Sequence, residues 1–293
     1  MINNAPIFTF AAKTDIWTGD ADGKPNSLKH TGLLGSIRWW FEVVVRGLGG
    51  YACDPSDSSE TKCKDKNHCC VVCELFGCTG WARKFRFDVL DECCIHIQEQ
   101  IKAGDVFKLK LTPFRPIQEE EWALLSLTLK LIARYGAIGG KTIYKPSDGI
   151  HKDEVRHKDF GLIKLKKQPL FQKETIESIA ELKSYVKALQ WRKNNNEKFW
   201  SSLDNFWCVE KSLEFNSFNS ILRGPTWLAG NRQESKKVFS FKNPPRTFGF
   251  VKPGLVNHDE MKYKLKSVWS NLRDEEYIYG TDKICENLIQ NKK

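Results

Sequence analysis

Long apolar runs are absent from this chain. The longest, residues 122–133, is interrupted by Lys130 and falls well short of the ~20 residues that a membrane-spanning helix needs. Residues 1–10 contain no Lys or Arg ahead of their apolar positions, so the start lacks the charged segment of a secretory signal. We therefore expect no membrane partner and a cytoplasmic location.

Acidic residues are in deficit. The 293 residues include 46 Lys and Arg against 36 Asp and Glu, a net charge of +10, and a surplus of this size favours polyanionic partners such as nucleic acid. The hydrophobic content of 41% is enough to bury a core. The chain is thus long enough for one large globular domain or two modest ones.

Cysteine is not scarce, and its distribution is uneven. Ten cysteines occur, and six of them lie between Cys53 and Cys78 in a polar stretch. In a cytoplasmic chain of this length such clustering indicates metal binding more than disulfides. The two-residue spacing of Cys70 and Cys73 lets both thiolates face one tetrahedral ion, for which zinc is the best candidate. The alternative is a set of buried, reduced thiols.

We predict a structural zinc site, because four protein ligands leave the ion no open position for water. Cys78 or His68 could replace Cys53 in it. The predicted ligands are Cys53, Cys63, Cys70 and Cys73.

Hydrophobic periodicity predicts an α+β fold for the first part of the chain. Period-two alternation indicates strands near residues 7–13, 84–89, 106–111 and 162–166. Apolar residues at helical spacing indicate one helix that ends at Gly47 to Gly50 and another between Glu119 and Gly136. The order strand, helix, strand, strand, helix, strand is that of the ferredoxin-like fold. The cysteine-rich stretch, about residues 51–80, would be an insertion in it.

The second part of the chain is less readable. We predict a domain boundary after residue 167, so that residues 1–167 form the first domain and residues 168–293 a helix-rich second one. A long helix is expected over residues 173–194 and a short one near residues 259–272. A second, more degenerate ferredoxin-like unit is a hypothesis, since no repeat of constant period is visible.

The entrance to the first long helix is a candidate phosphate site. Its glycines permit close backbone approach, a helix N-terminus presents free amides, and Lys29 and Arg38 add positive charge. An ordinary capped helix with glycine at its entrance explains the same residues.

A glycine-rich loop over residues 135–142 superficially resembles the phosphate loop of nucleotide-binding proteins. It departs from that motif because Tyr135 replaces the required first glycine and because the loop follows a helix. ATP binding is therefore not expected. With Lys141, Thr142 and Lys145 the loop is suited to lie along an RNA strand, while a plain helix terminator is the alternative.

His30 is the one obvious candidate for acid–base catalysis. No matched carboxylate or second histidine is identifiable as its partner, so a hydrogen-bonding or packing role is favoured. Asp20 and Asp22 are interpreted as solvated turn residues.

Three stretches together resemble the RAMP superfamily of CRISPR-associated RNA-binding proteins, and within it the end-capping subunit of the type III-B Cmr complex. They are residues 28–53 around Thr-Gly-Leu-Leu-Gly-Ser-Ile-Arg-Trp-Trp, residues 70–87 with Cys-Glu-Leu-Phe-Gly-Cys-Thr-Gly-Trp, and the glycine-rich loop. The resemblance covers roughly the first half of the chain. It departs from the pattern at Cys69, an extra thiol directly before Cys70.

The resemblance implies a ferredoxin-like RNA-binding core, usually duplicated, in an antiviral ribonucleoprotein. The implied partners are guide CRISPR RNA near its 3′ region, target RNA and the other Cmr subunits, and the implied role is non-catalytic. The RNA-binding candidates are Lys29, His30, Ser36, Arg38, Arg46, Gly139, Gly140, Lys141, Thr142 and Lys145.

Two other functions fit the same residues. One is a metal-independent endoribonuclease that processes CRISPR precursor RNA, with His30 as general acid or base. The other is a free-standing zinc-containing RNA-binding module.

Overall fold

The structure is a computed structural model that describes most of the chain. It describes residues 5–19, 27–54, 62–64, 68–140, 142–144, 158–169, 178–193, 199–224, 226–230 and 234–290.

The first unit is built on a four-stranded antiparallel sheet. Its strands are β1 (Ile7–Ala12), β2 (Phe85–Leu90), β3 (Val106–Pro113) and β6 (Ile163–Lys167). They lie in the order β2-β3-β1-β6, and every neighbouring pair is antiparallel. This places the fourth strand of the motif beside the first and the third beside the second, as in the ferredoxin-like fold. The predicted fold class is confirmed for this unit.

Two long helices pack on each other and cover one face of this sheet. Helix α1 (His30–Gly47) ends where glycine was expected to end it, and Gly49 behind it has φ +86°. Helix α3 (Glu119–Arg134) begins with a capping box between Gln118 and Glu121. On β1 the residues facing these helices, Phe8, Phe10 and Ala12, are fully buried.

The first unit also contains a short helix and a two-stranded ribbon outside its main sheet. The cysteine-rich insertion carries a six-residue helix, α2 (Val71–Phe76), between α1 and β2. A two-stranded ribbon of β4 (Ile143–Tyr144) and β5 (Lys158–Asp159) follows α3.

The second unit repeats the architecture of the first. Its sheet has the order β10 (Ile278–Tyr279), β7 (Phe206–Val209), β9 (Arg246–Phe250), β8 (Val238–Phe241) and is again entirely antiparallel, with α5 (Phe215–Leu222) after β7 and α7 (His258–Lys266) after β9. A second ferredoxin-like unit, left as a hypothesis by the sequence, is therefore present. Its elements are α4 (Ile179–Lys187), β7 (Phe206–Val209), α5 (Phe215–Leu222), α6 (Thr226–Ala229), β8 (Val238–Phe241), β9 (Arg246–Phe250), α7 (His258–Lys266), β10 (Ile278–Tyr279) and α8 (Thr281–Gln290), with 3-10 turns at Leu203–Asn205 and Asp274–Glu276.

Two helix predictions in this part of the chain were wrong in extent. The described part of the expected long helix is only α4, which Ser178 caps and which ends because Ala188 is extended at ψ 151°. Residues 173–177 and 194 lie outside the described residues. The helix expected near residues 259–272 is α7, which ends at Lys266.

The two units share an interface built from helices and aromatic rings. Helix α3 of the first unit contacts α4 and α8 from the later part of the chain. The Trp40 ring of α1 lies edge-on to Phe206 and Phe248 in the second sheet, with ring centroids 5.6 and 5.9 Å away. Among the described residues, no helix combines the length and apolar character needed to cross a bilayer.

Candidate nucleic-acid interface and metal centre

The four predicted metal ligands lie together in the insertion between α1 and β2. The Sγ atoms of Cys53, Cys63, Cys70 and Cys73 all lie within 4.8 Å of one another, and all four side chains are buried. Cys70 is the N-cap of α2 and Cys73 lies in its first turn. The short helix thus aims both thiols at the same point, as their spacing predicted.

The sulfur spacing fits a tetrahedral ion. Four thiolates bound to one zinc ion lie about 3.8 Å from one another, because each Zn–S bond is about 2.3 Å long. The Cys53 Sγ lies 3.4 Å from the Cys73 Sγ and 3.9 Å from the Cys70 Sγ. The four cysteines could therefore bind a metal, with every tetrahedral position filled by protein.

The Cys63 sulfur is placed to carry negative charge. The backbone amide of Cys70 donates a hydrogen bond to it at 3.3 Å. Cys53 raises the pKa of the Cys63 thiol, Cys70 and Cys73 lower it, and the net result is a pKa of about 7. Amide donation of this kind stabilises a thiolate, the form that binds metal.

Three other candidate ligands adjoin the cluster but lie outside it. Cys69 faces the Glu74 carboxylate, with Sγ 3.5 Å from Oε2, and burial together with that carboxylate raises the pKa of its thiol. Cys78 contacts the Thr79 carbonyl at 3.7 Å, and His68 is exposed. The geometry thus favours Cys53 as the fourth ligand.

Arg38, expected to contact RNA, turns toward the cysteine cluster instead. Its Nη1 donates to the carbonyl of Gly77 at 2.7 Å, and its Nη2 donates to the Cys73 Sγ at 3.4 Å. Its Nε pairs with Glu42 at 3.2 Å. The guanidinium therefore already has protein partners in three directions, and these contacts do not support the predicted RNA role.

Arg46 is committed in the same way, one turn further along α1 from Glu42. It pairs with the Glu42 carboxylate at 3.4 Å and donates to the carbonyl of Ala52 at 3.0 Å. It also donates to the Ser201 hydroxyl at 2.8 Å and lies over the Phe199 ring. Arg46 thus links the insertion to the second half of the chain.

Buried Glu42 balances the two arginines. Burial raises the pKa of its carboxyl, whereas Arg46 and Arg38 lower it. The three side chains form a charged row along the face of α1 that looks toward the cysteines. A buried carboxylate of this kind needs both partners, because an unpaired buried charge is strongly destabilising.

The start of α1 and the face opposite this charged row carry the other predicted RNA-binding residues of the helix. Lys29 at its N-cap is exposed, and its backbone amide donates to the Thr18 hydroxyl at 2.8 Å. The His30 Nε2 lies 2.8 Å from the Ile97 carbonyl, so this nitrogen carries the proton and donates. The Ser36 Oγ accepts a hydrogen bond from the amide of Gly139 at 3.0 Å, which joins the two predicted RNA-binding stretches directly.

The glycine-rich loop uses its amides internally. The amide of Ile138 donates to the Gly161 carbonyl, that of Gly139 to Ser36, and that of Gly140 to the Trp17 carbonyl at 2.8 Å. The expectation that this backbone would lie along RNA is therefore not supported for the amides of residues 138–140.

Packing requires a glycine at position 139 and leaves little room for a side chain at position 140. A Cβ added to Gly139, which has φ +115°, would lie 2.5 Å from the Trp17 carbonyl oxygen, and one on Gly140 would lie 3.3 Å from that of Thr18. Any other residue at Gly139 would have to push the neighbouring chain away. The glycines thus bring the loop against residues 17–18, next to the start of α1.

A cleft opens between this loop and the second unit. It has a volume of about 520 Å³. On one side it is lined by predicted residues Ser36, Gly139, Gly140 and Thr142, together with Gly32 and the Trp39 and Trp40 rings. The other side comes from the second unit and includes Phe218, Ser235, Lys236, Val238, Phe239, Ser240, Lys242 and Phe248.

The cleft contains cations that sequence reasoning missed. Lys236 and Lys242 are exposed at either end of β8, and none of the described residues lining the cleft is acidic. No local signal marked these lysines, because the strand between them has only four residues. Lys141, Lys145, Asp20 and Asp22 lie outside the described residues.

Arg246 of β9 holds the loop from the second unit. Its Nη1 donates to the Gly136 carbonyl at 2.6 Å and its Nη2 to the Ala133 carbonyl at 3.1 Å, which caps the C-terminus of α3. The Trp40 Nε1 donates to the Ala137 carbonyl at 2.8 Å. The loop that lines the cleft is thus positioned by both units.

Comparison with family models gives one match within the first part of the chain. Residues 9–144 match the family model of the RAMP superfamily. No curated protein sequence matches the chain.

Several solved structures are similar at low identity. The apo crystal structure of Cmr1 from Pyrococcus furiosus has 11% identity and a TM-score of 0.47, over 90% of this chain and 96% of that one. A chain of a type IV-B CRISPR complex has 13% identity and a TM-score of 0.35, over 60% and 98%. A chain of a type III-A Csm3–Csm4 subcomplex has 17% identity and a TM-score of 0.28, over 64% and 97%.

Proposed function

We propose that this chain, whose residues 9–144 match the RAMP family model, is a non-catalytic RNA-binding subunit of a cytoplasmic type III-B CRISPR ribonucleoprotein. In this proposal it contacts guide RNA near its 3′ region and target RNA in antiviral defence. The observation that carries the proposal is the cleft between the two units. It brings four predicted RNA-binding residues next to two lysines, without a described acidic residue in its lining.

Phosphate neutralisation would supply most of the affinity. Lys236 and Lys242 at the cleft and the exposed Lys29 at the start of α1 are the cations assigned to phosphates. Because the amides of residues 138–140 are used internally, side-chain ammonium groups rather than loop amides make these contacts in the proposal. Specificity would come from pairing between guide and target, since phosphate contacts carry no base information.

The salt dependence of RNA binding tests this assignment. We expect the log of the affinity to fall linearly with log salt, with a slope of about −0.7 per neutralised phosphate on single strands. The double variant Lys236→Ala/Lys242→Ala should flatten that slope. Lys266→Ala/Lys283→Ala is the matched control, because these lysines of α7 and α8 line no part of the cleft and should leave the slope unchanged. A slope equal in both double variants would remove the cleft lysines from the site.

The metal in the cysteine cluster is proposed to be zinc. Four cysteines at tetrahedral spacing fit zinc, and a bound ion would hold the insertion together without taking part in chemistry. Metal analysis of the purified chain should find about one zinc per molecule. A metal-free chain that retains its fold would refute the assignment.

The hydrogen bond from His30 to the Ile97 carbonyl supports a non-catalytic role, because it occupies one ring nitrogen. A second histidine, which the sequence did not reveal as a neighbour, lies beside it: the His96 ring centroid is 6.2 Å away. Incubation with repeat-containing precursor RNA in chelator tests the endoribonuclease alternative. We expect no cleavage, and a single defined cut lost in His30→Ala would favour that alternative.

Partner subunits are tested in the native host. We expect an affinity-tagged chain to co-purify with several other proteins and a small guide RNA. Recovery of the chain alone with RNA would favour the free-standing module.

A further inference from the structure

The cleft is basic at its edge but apolar and aromatic inside. Its apolar lining includes Trp39, Phe239 and Phe248, and Trp39 and Phe239 are only partly buried. The Phe239 ring lies 5.2 Å from that of Phe248. A surface that served phosphates alone would gain nothing from partly accessible rings, since rings interact with phosphate poorly and with bases well.

The cleft is also large enough to enclose a small ligand. Its volume of about 520 Å³ falls in the range of pockets that enclose small ligands. Gly32, Gly139 and Gly140 line the wall where α1 and the loop meet, and a Cβ added to any of them would face residues 17–18. The volume of the cleft lets an aromatic ring system enter between the α1 side and β8.

We propose that this cleft receives one unstacked nucleobase of the bound RNA, packed against Phe239 and Trp39. The flanking phosphates are held by Lys236 and Lys242. The proposal rests on the proposed function, because it assigns a base subsite within the same cleft. The aromatic walls of the cleft suit the base, and the two lysines suit the RNA backbone on either side of it.

The same walls determine that the subsite is tolerant of base identity. The amides of the loop are already used, and the Ser36 hydroxyl accepts from Gly139. The lining offers short hydroxyl side chains such as those of Thr142 and Ser235 beside the two lysines, whereas its aromatic walls can stack on any base, since every base has a π-face. The subsite would thus register an extruded nucleotide without selecting its sequence.

A double-mutant cycle that combines a protein variant with an altered RNA tests the subsite. Single 4-thiouridine substitutions along a single-stranded RNA, followed by irradiation and peptide mapping, locate the nucleotide that crosslinks to α1 or β8. An abasic residue is then placed at that position. Affinity is measured for both RNAs with the wild type and with Phe239→Ala.

We expect the abasic site and Phe239→Ala each to weaken binding about tenfold, the effect of one base–aromatic stack. Combined, they should weaken it little further, because both remove the same contact. Phe239→Trp should restore affinity for the intact RNA. The salt slope should be unchanged in Phe239→Ala, in contrast to the lysine variants. Melting temperatures of the variants check that the fold is intact.

The outcomes separate the two proposals. Salt-dependent binding with additive losses, or with no effect of the abasic residue at any position, would overturn the base subsite and leave the RNA-binding function standing. Absence of salt-dependent RNA binding would overturn both. If Phe239→Ala instead blocked assembly with partner subunits and spared RNA affinity, the cleft would be a protein-docking site and the base subsite would be refuted.

Discussion

The two faces of α1 differ in what their polar groups do. On one face Arg38, Glu42 and Arg46 are half-buried or buried, paired with one another, and directed to the cysteine cluster and the second half of the chain. On the other face Gly32 and Ser36 are small and line the cleft. A charged residue is thus a poor guide to a ligand-binding surface when it already has buried partners. Small residues here mark the side on which a ligand can approach.

The largest effect is expected from a substitution in the four-cysteine cluster, toward which the charged face of α1 is directed. Cys70→Ser should abolish metal binding and unfold the insertion, because structural zinc contributes about 10 kcal/mol or more in small zinc-dependent folds. Zinc content and limited proteolysis of the insertion measure this.

Cys69→Ser is the matched control for that experiment. The neighbouring thiol lies outside the cluster, so this variant should retain its metal and its protease resistance. Equal metal loss in both variants would mean that the ligand set is wrong.

The next effect concerns the wall opposite α1. Arg246→Ala should lower the free energy of unfolding by about 3 kcal/mol, since two buried carbonyls of the α3 terminus lose a charged donor. Urea denaturation measures it. Arg134→Ala removes a more exposed ion pair with Glu210 at 2.6 Å and should cost less than about 1 kcal/mol. A similar loss in both would show that the cleft loop does not depend on the second unit.

Arg38→Ala tests whether metal affinity and RNA affinity depend on different faces of α1. The guanidinium donates to a ligand sulfur, and loss of such an outer partner typically weakens metal affinity about 10–100-fold. Competition with a chromophoric chelator measures the metal affinity, and anisotropy of labelled RNA measures RNA binding. We expect RNA affinity to stay within about twofold, since Arg38 is not part of the cleft lining. The reverse pattern would restore Arg38 as an RNA contact.

Ser36→Ala should give the smallest effect, with the opposite selectivity. It removes the acceptor for the Gly139 amide and should cost about 1 kcal/mol of stability. RNA binding should weaken severalfold because the loop moves, while metal affinity is unchanged. Thr31→Ala, an exposed change near the same end of α1, serves as control. Metal loss in Ser36→Ala would mean that the two faces are not independent.

The first unit was predictable because its elements carry strong local periodicity. In β1 and β3 buried and partly exposed residues alternate along the strand, and α1 and α3 bury one broad stripe. The second unit was not readable in the same way. Every residue of β7 and β9 is buried, so alternation is missing, and the strands of this sheet have two to five residues. Short, wholly buried strands cannot be told from helix or loop by period alone.

The candidate site also has features that were predictable from the sequence and features that were not. The four gathered cysteines were the predicted set, because thiol spacing in a polar loop is a local property. The contacts of Arg38 and Arg46 with Gly77, Ala52 and Ser201 were not predicted, because they form only in the folded chain. Lys236, Lys242 and Arg246 carried no signal at all.

The sequence by itself determined the topology of the first unit, the cysteines that could bind a metal and the excess of positive charge. Periodicity, ligand spacing and composition are each readable over a few residues or the whole chain. The tertiary structure alone decided which charged groups are neutralised inside the protein and where an open cleft remains. The cleft depends on contacts between residues about a hundred or more positions apart, such as Ser36 with Gly139 and Arg246 with Gly136, and Arg46 is held in part by the equally distant Ser201. Burial of that kind is set by the whole chain and is invisible in any one segment.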